Sequence, residues 1–285
     1  MKEVKALVIK GLHHWGFSIR VPLQSAAGKS YPVPPPSTII GALAKPYCIN
    51  EVGYSTNNSL SCVVNFIRRK ILAKELKWVT YGLIKGAAVP YSDLGRELRS
   101  PYRQSGKRTI KESFGVAAFG KTYSPSSVFV IIAVLDDQAN DEEWVKLGWQ
   151  MTSLGSKESI VTIMNVSINN LEQSKGELRN VITYFPTSCV KSISGLQGIE
   201  NLELPILNNY KLVNTIQALT QVMPYMDYFL VPKQSLIYGG GIKINESLIK
   251  CDSYGIKDCP ECGDLIMPST MLSELAEKLM RDYYE

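Results

Sequence analysis

The sequence predicts an α+β protein built on a ferredoxin-like domain, and three observations carry that prediction. A β-rich segment, "EVKALVIK", alternates loosely over residues 3–10. The most apolar run, "SVFVIIAVLD" at 127–136, is followed at once by a capped, acidic helix start. Another β-rich segment, "SIVTIMNVSI", comes next at 159–168. Residues 1–168 therefore read β-α-β, a long excursion, then β-α-β, the order of a split β-α-β sandwich.

Each element has its own signal. "HHWGFSIRVP" continues the first strand as an extended piece or turn. "YPVPPPSTIIGALA" (31–44) then places four prolines in five residues, Pro32, Pro34, Pro35 and Pro36, ahead of a short apolar run. Polyproline geometry leads into a helix start, because proline is tolerated in a first helical turn. Ser37 or Thr38 is the expected cap, Ile39, Ile40, Leu43 and Ala44 share one face, and Pro46 is expected to stop the run. "LSCVVNFIRRKIL" (60–72) and "LKWVTYGLIKG" (76–86) read as strands. Asn140 and Asp141 both offer an N-cap for a helix whose first turn carries Asp141, Glu142 and Glu143, matching the dipole, with Trp144, Leu147, Gly148 and Met151 on one face. Beyond 168, "RNVITYF" reads as a strand, "NYKLVNTIQALTQVM" has helical spacing, "YGGG" (238–241) makes a turn, and "PSTMLSELAEKLMRDYYE" is a capped terminal helix. The domain boundaries are 1–170, with an insertion at about 66–125, and a smaller C-terminal region, 171–285.

Length and composition fit a globular protein with a full core. No run reaches the roughly 18 apolar residues of a membrane span, and "MKEVKALVIKGL" reads as a strand rather than a signal peptide, so a cytoplasmic protein is expected. The net charge of +5 is unevenly placed. Arg96, Arg99, Arg103, Lys107, Arg108, Lys111 and Lys121 face only Glu97 and Glu112, an excess equal to that of the whole chain. These cations interleave with Tyr102, Phe114, Phe119 and Tyr123, and Gly106, Gly115 and Gly120 keep the segment bendable. Clustered cations suit phosphates, and aromatic faces suit unpaired bases; the alternative is a solvated charged loop.

"SLGSKES" (153–159) falls between a helix and a strand, where Gly155, Ser156 and Lys157 can form an anion cradle or a plain C-cap turn. Cys251, Cys259 and Cys262 in "CDSYGIKDCPEC" resemble part of a structural zinc site. A fourth ligand would have to come from afar, Cys189 for example. A Cys251–Cys259 or Cys259–Cys262 disulfide, or free thiols, are the alternatives. His13 and His14 are the only histidines; one could serve as a general base, or His13 could simply pack at a strand end or bind phosphate. No Walker motif, no Ser-His-Asp order and no dinucleotide fingerprint is present.

Taken together, "HWGFSIRVP", "YPVPPPSTIIGALA" and "SLGSKESIVTI" resemble the Cas-five family of CRISPR-associated RAMP proteins, particularly its archaeal type I-A branch. The resemblance covers about the first 170 residues. It implies a RAMP/RRM-like ferredoxin domain whose inserted basic β-hairpin is a thumb. It implies a non-catalytic subunit of the type I-A effector complex, Cascade, that caps the 5′ handle of the crRNA in antiviral DNA interference. Expected partners are the handle, the backbone, large and small subunits, and target DNA through the complex, with no membrane. The expected RNA-binding residues are His14, Arg20, Lys29, Ser37, Arg96, Arg99, Tyr102, Arg103, Lys107, Arg108, Lys111, Gly155, Ser156 and Lys157. One branch of the family cuts the guide precursor itself. A metal-independent endoribonuclease using His13 or His14, with Tyr31 and Lys29, is therefore the alternative. No cofactor is implied beyond the structural zinc.

Overall fold

Strand β1 (Lys5–His13) lies between two strands that follow much later in the chain. It pairs antiparallel with β6 (Ser127–Leu135) on one side and β7 (Val161–Gln173) on the other. β3 (Leu76–Lys85) pairs outside β6, giving the order β7-β1-β6-β3. The β6 run is almost wholly buried, as its unbroken apolar sequence requires. We describe residues 4–22, 29–53, 59–98, 114–156, 159–209, 222–233 and 240–281 of a computed structural model.

Four α-helices complete the described architecture: α1 (Pro36–Val52), α2 (Ser59–Phe66), α3 (Asp141–Trp149) and α4 (Leu272–Arg281). α3 starts as its sequence predicts, with the Asn140 side chain accepting the Glu143 N–H and Trp144, Leu147 and Gly148 buried. It packs on β7 and β1. The approach is close enough that a Cβ at Gly148 would come within 2.8 Å of Val166.

α1 departs from expectation at both ends. Its N-cap is Pro35, whose carbonyl accepts the N–H groups of Thr38 and Ile39, and no side chain caps it. The helix runs through Pro46 to Val52 instead of stopping there. Pro46 removes one intrahelical donor, but Leu43, Ala44, Tyr47 and Cys48 are buried around it, so packing holds the helix together. The prolines themselves are largely buried, and Pro34 accepts a hydrogen bond from the Tyr184 hydroxyl at 3.1 Å.

Residues 60–72 are helical, not extended: α2 runs into a π-helical turn, Ile67–Leu72. Val63, Val64, Ile67 and Ile71 favour a strand by local propensity. Burial of Cys62, Phe66, Ile67, Lys70 and Ile71 follows a helical face, and tertiary contacts decide. A Cys48–Cys62 disulfide ties α2 to α1. Buried Lys70 reaches Glu75 and Glu143, each at 2.8 Å.

The excursion is narrower than the sequence suggests. Residues Leu76–Lys85 belong to the central sheet, and the antiparallel hairpin begins with β4 (Val89–Leu98) and returns as β5 (Phe114–Tyr123). A short β2 (Gly16–Phe17) pairs with the foot of β5.

The C-terminal region adds β8 (Leu178–Val181), β9 (Phe185–Pro186), β10 (Ile199–Leu207), β11 (Tyr225–Pro232), β12 (Ile242–Asn245), β13 (Asp252–Ile256) and β14 (Asp264–Met267). The segment with helical spacing at 209–223 lies almost entirely outside the described residues, as do residues 238 and 239 of the glycine turn. β13 and β14 extend the central sheet beyond β7. At the opposite edge, Tyr184 donates its N–H to the Tyr81 carbonyl, and Trp78 stacks on Phe229 of β11. That covers the free edge of β3.

The proposed thiolate triad is not assembled. Cys251 is bonded to Cys189 in a small core with Val181, Phe185 and Leu230. Cys259 is bonded to Cys262, and both lie in the main core. Of the alternatives left open by the sequence, the Cys259–Cys262 disulfide is the one found. Among the described residues no group of three or more potential ligands could hold a metal ion.

Candidate nucleic-acid interface

Three distant stretches meet at one cavity of about 510 Å³. The first is the run after β2, residues 18–22, contributing Arg20. The second is the N-terminal half of α1, where Ser37, Gly41 and Lys45 recur every fourth residue and so share one helical face. The third is the turn between α3 and β7, contributing Ser153, Gly155 and Ser156. Pro205 and Asn208, from the end of β10 onward, line the far side.

The turn is held in place by its own hydrogen bonds. Gly155 has φ +122°, and an added Cβ would sit 2.9 Å from Ile19 Cγ1. Ser156 donates its N–H to the Ser18 carbonyl at 3.2 Å, while Ser18 N–H donates to Ser159 Oγ at 3.1 Å. Ser18 Oγ donates to the Gly120 carbonyl of β5 at 2.8 Å, so the same residue ties the turn to the hairpin foot. Lys45 Nζ reaches Thr152 Oγ1 and Ser153 Oγ at 3.1 and 3.2 Å. Arg20 and Lys45 give the cavity a positive character.

An aromatic series stands at the hairpin foot. Tyr91 and Tyr123 have ring centroids 4.4 Å apart, Trp15 meets Tyr123 edge-on at 6.2 Å, and Lys121 Nζ lies 5.9 Å from the Trp15 ring.

Of the predicted RNA-binding residues, Arg20, Ser37, Gly155 and Ser156 line this cavity together. Lys29 lines a neighbouring cavity instead. His14 is exposed and its Nε2 lies 2.8 Å from Thr162 Oγ1; it lines neither cavity. Arg96 is in β4, opposite Val116. Arg99, Tyr102, Arg103, Lys107, Arg108, Lys111 and Lys157 lie outside the described residues. Sequence reasoning missed Lys45 and Gly41. The i, i+4, i+8 recurrence Ser37-Gly41-Lys45, opposite the apolar face of α1, was the signal that could have found them.

His13 is fully buried against Phe17, Tyr81 and Phe129. Its Nε2 lies 3.1 Å from the Tyr81 hydroxyl, and its Nδ1 has no hydrogen-bond partner among the described residues. Burial, with a smaller contribution from neighbouring His14, pushes its pKa down to about 3. The Tyr31 hydroxyl is also buried, and burial raises its pKa, with a lesser push from Glu203. Neither group faces solvent as a base.

Similarity to known proteins extends over the same elements. The family model for the CRISPR-associated protein Cas5 matches residues 12–196. A Saccharolobus solfataricus protein called CRISPR-associated protein Cas5 2 is 41% identical over 261 residues, covering 90% of this chain and 94% of its own. Another from the same organism, called CRISPR system aCascade subunit Cas5 1, is 26% identical, covering 78% of this chain and 88% of its own. The crystal structure of a CRISPR protein from Archaeoglobus fulgidus superposes with a TM-score of 0.54 at 17% identity, over 93% of this chain and all of that one. That likeness is one of fold.

Proposed function

The chain belongs to the CRISPR-associated Cas5 family, and from that premise we propose that it is a non-catalytic subunit of a type I-A effector complex that binds and caps the 5′ handle of the crRNA. The observation that carries this reading is the convergence of residues 18–22, α1 and the 153–156 turn on one cavity holding Arg20 and Lys45, at the foot of the β4–β5 hairpin. Two cations in one cavity suit a phosphate backbone, and the Trp15-Tyr123-Tyr91 series at the hairpin foot offers stacking faces.

In this reading the β7-β1-β6-β3 sheet with α1 and α3 is the ferredoxin-like RAMP domain, and β4–β5 is the thumb. The seven cations of residues 96–121 would follow the RNA, and the Cascade backbone, large and small subunits would be its neighbours, with target DNA reached through the complex. The aCascade subunit among its relatives supports such an assembly. Burial of His13 and Tyr31 weighs against their acting in cleavage and leaves exposed His14 as the histidine of the nuclease alternative.

Binding of the purified chain to labelled guide RNA carrying its 5′ handle tests the reading. Neutralising Arg20 and Lys45 together should weaken binding and lower the salt slope by roughly 1.4, since each single-strand phosphate that a cation neutralises adds about 0.7 to it. A folded variant with unchanged affinity and slope would sink the assignment. Precursor RNA incubated with the chain in EDTA should stay intact; a site-specific cut would restore the nuclease alternative.

A further inference from the structure

The run from Gly16 to Arg20 is gripped at both ends. Gly16 and Phe17 pair with Tyr123 and Thr122 at the foot of the hairpin. Arg20 is bridged to Ser30, and the Ile19 carbonyl accepts the Tyr31 N–H at 3.1 Å. Ser18 lies between these fixed points, and the next residue along β5 in the same register is Lys121. We infer that Ser18 is a positioning residue that couples the RNA contacts of the cavity holding Arg20 to those of the hairpin foot; this rests on the RNA-binding reading above.

Every polar group of Ser18 is committed to this junction. Its Oγ donates to the Gly120 carbonyl of the hairpin at 2.8 Å. Its N–H donates to Ser159 Oγ at 3.1 Å, and its carbonyl accepts the Ser156 N–H at 3.2 Å, both on the side of the turn. Ser159 is fully buried, and its own polar atoms are all engaged. Its Oγ lies 3.1 Å from Ser156 Oγ, its N–H donates to the Ser156 carbonyl at 2.8 Å, and its carbonyl accepts the Leu154 N–H at 2.9 Å. Space around it is tight, since a Cβ at Gly155 would come within 3.0 Å of Ser159 Oγ. A buried hydroxyl with its bonds made holds its partners in place, because opening any one of them strands a polar group away from water. The turn, the 16–20 run and the hairpin foot therefore form one rigid piece.

That rigidity has a consequence for binding. Arg20 in the cavity and Lys121, beside Trp15 at the foot, are cations on either side of Ser18. Arg20 stands two residues beyond Ser18, about 7 Å along an extended run. With that spacing fixed before RNA arrives, a strand held by one cation presents its neighbouring phosphates to the other, and the second contact forms without further ordering. Loss of either cation then also costs the other its advantage.

Fluorescence anisotropy of the full chain with labelled guide RNA carrying its 5′ handle tests this, using Arg20→Ala, Lys121→Ala and the two together. With Ser18 intact, the double variant should bind about three- to tenfold tighter than the product of the two single losses predicts. Ser18→Ala should erase that difference. It should also weaken binding by a similar factor with the salt slope unchanged, because every cation stays. Ser18→Thr keeps the hydroxyl on an extended residue and should restore the coupling, which a general change in stability would not do. Ser159→Ala cuts the link from the side of the turn and should also erase the coupling; thermal melts check that each variant is folded. Additive losses with Ser18 intact, or a coupling that survives both Ser18→Ala and Ser159→Ala, overturn the role of Ser18 and leave the handle reading standing. Unchanged binding in this double variant and in the paired Arg20 and Lys45 variant overturns the two together.

Discussion

Acidification tests the burial of His13 directly. In the folded chain its pKa lies at about 3, against an ordinary value of 6.5, because the ring is sealed among Phe17, Tyr81 and Phe129. The folded state therefore refuses a proton that the unfolded chain accepts. The sign follows: stability is full above the unfolded value of 6.5 and is lost as the pH falls toward 3. With those two values the loss between pH 7 and pH 4.5 is about 2.5 kcal/mol, a large share of a typical folding stability. The window above pH 4.5 is chosen because most carboxylates are still ionised there. Urea unfolding at a series of pH values gives the stability, and His13→Gln, which keeps a polar atom near the Tyr81 hydroxyl, is the control. The variant should show a flatter profile across the window. Equal losses in the two proteins would refute the buried, neutral His13 and reopen its candidacy as a base.

Gly155→Ala should weaken the turn by about 1–3 kcal/mol, since φ +122° is strained for any Cβ and Ile19 stands 2.9 Å away; guide RNA affinity and the urea midpoint should fall together. Reduction of the disulfides should be graded by loop length: about 3 kcal/mol for Cys48–Cys62, 14 residues apart, and about 4 kcal/mol for Cys189–Cys251, 62 apart. Unfolding of the two paired Cys→Ala variants measures this, and thiol titration of the unfolded, unreduced chain should find no free sulfhydryl at any of the cysteines. Lys70→Met should cost about 2 kcal/mol, because it strands the Glu75 and Glu143 carboxylates, which still reach solvent in part. Adding Glu75→Gln and Glu143→Gln should recover part of that loss in thermal melts.

What could be read directly was what repeats locally. The β1, β3, β6 and α3 segments were legible because alternation, an unbroken apolar run and an Asn140 cap depend on neighbours within a few residues. The same local logic failed at residues 60–72, where the β-branched content of Val63, Val64, Ile67 and Ile71 argues for a strand, while packing on α1, the Cys48–Cys62 bond and the Lys70 ion pairs impose a helix. It failed again at Pro46, where buried neighbours outweigh one missing donor.

The candidate site divides in the same way. Gly155 and Ser156 were identifiable from their turn as residues suited to an anion, whereas Arg20 and Ser37 followed from the family resemblance. That they line one cavity with Lys45, and that Lys29 belongs to the next one with Glu200 and Lys233, depends on pairings across the whole chain. The cysteines show it most plainly: nothing in the spacing of Cys189 and Cys251 joins them across 62 residues, and it is the packing of the C-terminal core that brings their Cα atoms to 4.9 Å. Local residue order determined the elements whose pattern repeats within a few residues, β1, β3, β6 and α3 among them, and the residue types they carry. Tertiary packing decided which groups meet, because a cavity or a disulfide is closed by residues whose separation along the chain leaves no local periodicity to read.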